Sequence, residues 1–195
     1  MVLPRWEVGK VDGSGLTAMR TAFVAALFCI LPLPVGAQGV GQTPPQRTYP
    51  VHRLQPSAFP ELPKNLVTEL ERRGCTIPQP FTDRRANVIR GEFVTSGQTD
   101  WAVLCSMQGS TSLLVFWNGS ATNSTELAKN PDDPARIFDW FIRPVDRKFI
   151  MDHYRAYGGP KPPPIDHQGI ESGGETASVV LYYHQGKWLK LQGAD

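Results

Sequence analysis

Asp166, His167 and Glu171 bring an imidazole and two carboxylates into one short segment, IDHQGIESGGE (165–175). Side chains of these types can move protons as general acid and base. The carboxylates, set in a glycine-containing stretch, could instead bind calcium, although the EF-hand pattern is absent. The ordinary alternative is a solvated loop. Glu92 and Asp100 flank an expected hairpin turn and pose the same choice between an acid–base pair and solvated strand ends. No GxSxG elbow is present, and Ser110, Ser112 and Ser120 fall in turn or strand contexts without a neighbouring base. His52, His153, His167 and His184 show neither HxH nor HExxH spacing, so nothing in the pattern calls for a metal or other cofactor. The glycines of ESGGET (171–176) lack the lysine and helix of a phosphate loop.

Aromatic residues are the other lead. Trp117, Trp140, Tyr182 and Trp188 belong to a group numerous enough to form a strip that stacks on a sugar or a protein partner. The competing reading is that they fill a small core.

What must position these residues is a chain of 195 amino acids with a formal net charge of +2. That near-balance removes the concentrated basic face a nucleic-acid binder needs. A hydrophobic share of 41% supplies a core, and 18 Gly with 18 Pro exclude a long-helix bundle. The run TAFVAALFCIL (21–31), preceded by Arg20 and followed by small residues up to Ala37, reads as a secretory signal peptide over residues 1–37. Met19 is a sufficient start, so residues 1–18 read as a start-site extension. The apolar run is short for a membrane span, and no stable anchor is expected after cleavage. Cys75 and Cys105 then remain, and two cysteines in an exported chain are expected to form one disulfide.

Residues 38–60, with five prolines, read as an extended linker. ELPKNLVTELERRG (61–74) has helical spacing of Leu66, Val67 and Leu70, with Gly74 as a stop signal. Alternating or apolar runs at 87–94, 100–106 and 112–117 predict a meander. Asn118–Gly119 adds a tight-hairpin signal, and 177–184 with 187–191 predict a closing hairpin. Residues 138–142 suit a strand, and 147–157 suit helix and strand equally.

GEFVTSGQTDWAVLC (91–105) resembles the G-x-F…G-x-x-D-x-A hairpin of FG-GAP and VCBS-type modules of secreted proteins. The DxDxDG calcium run of that family is missing, and only Asp100 remains of it. The closing stretch from Ile165 resembles the C-terminus of exported bacterial proteins of unassigned activity, which implies location alone. The expectation is therefore an exported α+β domain over 61–195, with an antiparallel meander, an N-terminal helix, a C-terminal hairpin and one disulfide. Its expected role is non-catalytic binding or envelope association with a protein or glycan partner. The alternative is a small secreted hydrolase assembled around Asp166, His167 and Glu171.

Overall fold

A computed structural model describes residues 50–80 and 84–194. The expected signal peptide (1–37) and residues 38–49 of the expected linker lie outside these. The remainder of that linker, residues 50–60, is described and carries local structure. β1 (His52–Leu54) is hydrogen-bonded into a sheet, a 3₁₀ turn follows at Pro56–Ala58, and Phe59 is buried in the core. Proline at the start of the turn is tolerated because its missing N–H has no helical partner there.

α1 (Lys64–Arg72) buries Leu66 and Leu70, each contributing about 2 kcal/mol by removal from water. Its end follows from the sequence RRGC. Gly74 adopts φ +75°, its N–H donates to Glu71 O (2.9 Å), and Cys75 N–H donates to Leu70 O (3.0 Å). This paired closure needs a left-handed residue, which glycine supplies without strain. Cys75 is thereby delivered to Cys105, with which it forms the disulfide (Cα–Cα 5.2 Å). Closing 30 residues of chain contributes on the order of 3–4 kcal/mol in the chain-entropy account. β2 (Ile77–Gln79) then pairs antiparallel with β1.

Two four-stranded antiparallel sheets follow where the sequence suggested one meander with a separate hairpin. The first contains β3 (Val88–Gly91), β4 (Asp100–Met107), β5 (Ser110–Phe116) and β6 (Ser124–Pro131), in that order. After a four-residue α2 (Pro134–Ile137), the second contains β7 (Phe141–Val145), β8 (Gly169–Gly173), β9 (Ser178–His184) and β10 (Lys187–Gln192). α3 (Arg147–Tyr157) connects β7 to β8. It resolves the helix-or-strand ambiguity through its cap: Asp146 accepts from Phe149 N–H at 2.8 Å, and Gly158 ends the helix at φ +77°.

Side-chain alternation explains why β4 and β5 are buried on both faces. Trp101, Val103, Cys105, Leu114 and Phe116 pack with Leu62, Leu66 and Leu70 beside α1. Ala102, Leu104, Leu113 and Val115 point the other way, against Ile142, Ile170 and Leu181 of the second sheet. Val180, Tyr182 and Leu191 leave that sheet's far face to pack with Ile150 of α3. Period-two patterning on the inner strands thus builds three cores, one between each pair of layers.

Turn chemistry matches in two places and differs in one. Gln108–Gly109 and Gln185–Gly186 all have positive φ and close two-residue hairpins, with Met107 opposite Ser110 and His184 opposite Lys187. Asn118 and Gly119 also have positive φ (51° and 64°), but they sit inside a longer loop. Trp117 N–H donates to Asn123 O, and pairing resumes only at Ser124.

Candidate functional site

Polar groups first join the sheets. Asn87, fully buried, donates from Nδ2 to Pro78 O (2.7 Å) and Trp140 O (2.9 Å), while its Oδ1 accepts from Ile142 N–H (3.0 Å). Gln168 accepts from Glu92 N–H through Oε1 at 3.0 Å and donates its own N–H to Glu92 O. Gly91 permits that approach, since a Cβ there would stand 2.6 Å from Gln168 Oε1.

Beside these ties the sheets part to leave a cleft of about 360 Å³. One wall is β6. The register of β5 with β6 slips between Leu113 and Leu114, opposite Ala128 and Glu126 respectively, so Leu127 is an extra residue in the ladder. In a regular strand, neighbours point to opposite faces; the bulge lets both Leu127 and Ala128 line the cleft. Gly173 and Gly174, at the end of β8, line the cleft with backbone and have no room for a Cβ, which would meet Ala177 O and Ser178 at the first and the Asp139 carboxylate at the second, while Ser172 contributes a hydroxyl. Ile137, Trp140, Val179, Leu181 and Lys190 complete the lining. The Trp140 indole donates to Ser172 Oγ at 2.9 Å, fixing both groups. Val179 is 39% exposed on this otherwise packed face.

The structure separates the residues singled out from sequence. Glu171 is buried on β8, where it accepts from Arg143 Nε and from Ser178 Oγ (2.7 Å). Asp166 and His167 instead line a hollow of about 340 Å³ with Glu92, Asp146, Arg147, Ile165 and Gln168. The expected three-residue cluster is therefore not assembled, because β8 carries Glu171 into a ladder where a loop was expected. Within the hollow, polar groups hold the fold. Tyr182 Oη donates to Asp166 Oδ1 (3.0 Å) and accepts from Asp166 N–H (3.1 Å). Burial is the largest influence on the Tyr182 phenol and pushes its pKa up. Both ring nitrogens of His167 face backbone carbonyls, of Gln168 and Tyr183, at 2.9 Å, and its ring stacks on Tyr182 at 4.4 Å between centroids. Asp146 caps α3.

Asp100, the residue through which the FG-GAP-like segment would reach calcium, is fully buried. Its oxygens accept from the N–H groups of Phe93 and Val94 (3.0 Å each), Gln98 Nε2 (2.6 Å) and Asn118 N (2.8 Å). Donors crowd both oxygens, which suits a loop staple and opposes a cation. Among the described residues, no three His, Cys, Asp or Glu side chains form a metal-holding group.

The four aromatic candidates do not share a surface either. Tyr182 and Trp140 are core residues at 0% and 7% exposure. Trp117 and Trp188 are half-buried and flank Tyr183 edge-on, with centroids 5.2 and 5.4 Å away. Of the residues singled out from sequence, Trp140 alone lines the cleft. A second sign in the sequence is Lys190, a charge among the apolar residues of KWLKL. No protein-family model, curated protein or solved structure matches this chain.

Proposed function

We propose that the chain is an exported, non-catalytic binding protein that holds a small, largely apolar ligand in the cleft between its two sheets. The observation that carries this reading is the cleft itself. Its volume of about 360 Å³ falls at the lower end of the range typical of small-molecule sites, and its walls combine Leu127, Ile137, Trp140, Val179 and Leu181 with a few polar groups. At roughly 30 Å³ per water-sized group it accommodates about a dozen non-hydrogen atoms. The hydrolase reading has lost its assembled site, since Glu171 is bound to Arg143 and Ser178 while Asp166 and His167 serve the loop over Tyr182. Export is supported by the signal-like segment and by a disulfide of the kind that persists outside the reducing cytosol. Among the described residues no helix is long and apolar enough to cross a membrane.

Calorimetric titration with 1-octanol tests the site. At about 0.3–0.5 kcal/mol per non-hydrogen atom, the expected Kd is about 0.5–10 mM. Ala128→Trp, which fills the cleft from the bulged strand, should abolish binding with little change in Tm. Unchanged octanol binding in a folded Ala128→Trp variant would place the ligand elsewhere.

A further inference from the structure

Lys190 stands on the wrong face of its strand for an edge residue with nothing to do. Across the β9–β10 ladder, Trp188 faces Tyr183, Lys190 faces Leu181 and Gln192 faces Val179. Leu181 faces Ile170 in turn, so this is the side of the second sheet turned toward the first. Leu189 and Leu191 occupy the other side, in the core shared with α3. Lys190 thus ends the cross-strand row that runs from Ile170 through Leu181. It carries the only charge among the residues lining the cleft, and it makes no ion pair among the described residues. Ser172 adds a second donor on the cleft floor. Its oxygen already accepts the Trp140 indole N–H, which leaves the hydroxyl proton to donate.

We propose, building on the cleft as the binding site, that its ligand is an amphiphilic organic monoanion of about a dozen non-hydrogen atoms, with a fatty carboxylate as the simplest chemistry. The tail lies against Leu127, Ile137, Val179 and Leu181, and the carboxylate meets the Lys190 ammonium. Charge complementarity selects this class. A cationic amphiphile would meet Lys190 with no carboxylate in the lining to balance it. A small inorganic anion would leave the apolar walls wet, and a neutral hydrocarbon would cover the ammonium without replacing its water.

The test compares octanoate, 1-octanol and octyltrimethylammonium, each below its micelle concentration, by calorimetry at low and high salt. Wild type should bind octanoate at least about threefold more tightly than octanol, and octyltrimethylammonium most weakly, with the octanoate preference shrinking in high salt. K190Q should erase the octanoate preference and K190E should reverse it. Lys190 is exposed, so neither variant should lose its fold. Equal binding of octanoate and octanol by wild type, or a preference that K190Q leaves intact, overturns the ligand class while the cleft site stands. A lysine that merely discourages pairing at the edge of β10 would give this second result, with K190Q prone to aggregate. Failure of all three probes to bind would overturn the cleft reading as well.

Discussion

At the scale of single residues, buried polar groups are tolerated where partners converge on them. Asp100 is the clearest case, a carboxylate at 0% exposure with four N–H donors around it. Replacing it with alanine strands the donors of the 92–99 loop and of Asn118. The expected cost is about 3 kcal/mol or more, read as a lower urea midpoint at unchanged slope. A loss under about 0.5 kcal/mol would show that water serves these groups equally well. Sequence could mark Asp100 as chemically interesting but could not assign its role. Its partners Phe93, Val94, Gln98 and Asn118 converge only once the β3–β4 loop and the turn after β5 are folded. Glu171 was misread for a related reason. Its neighbours Gly169, Gly173 and Gly174 look like loop residues, while the burial that makes β8 a strand comes from β7 and β9 on either side.

At the scale of elements, α1 combines a legible start and stop with a charged outer face. Glu69 accepts from Arg72 Nε (2.8 Å) and Arg73 Nε (2.7 Å). The hydrogen bonds from Arg72 and then Arg73 hold its carboxyl well below the usual range, at about 2. A depressed carboxyl pKa stabilises the fold at pH values above the ordinary carboxylate value and loses that contribution as the group is protonated. The stabilisation should therefore be complete above about pH 4.5 and fade as pH falls toward 2. Arg72 is 69% exposed, so water screens the pair and the whole cluster is expected to contribute only about 1 kcal/mol. Glu69→Gln should match this difference at pH 7 and converge with wild type at low pH in urea-unfolding series. A difference constant from pH 7 to pH 2 would assign the loss to packing. Elements with strong local signals, such as α1 and the Gln–Gly hairpins, were readable in sequence. β6 was not, because STELAKNP is a solvated edge strand with little apolar periodicity. β1 was hidden by the prolines around it, since three residues gain strand character only by pairing with β2.

At the scale of the whole molecule, the layering of α1, two sheets and α3 makes the cleft, and no local pattern announces it. It requires β6 of the first sheet to approach β8, β9 and β10 of the second, and it requires the bulge that turns Leu127 and Ala128 the same way. The charge of Lys190 beside the leucines of KWLKL was visible, but its direction was not, because a one-residue change of register would have put Lys190 toward α3. Binding of a ligand in the cleft is read out by a backbone-amide NMR map of the folded chain titrated with 1-octanol. The largest shifts should fall in two stretches distant in sequence, Leu127–Asn130 and Ser172–Val179. Shifts centred on Asp166 and His167, or on Trp117, Tyr183 and Trp188, would contradict binding in the cleft.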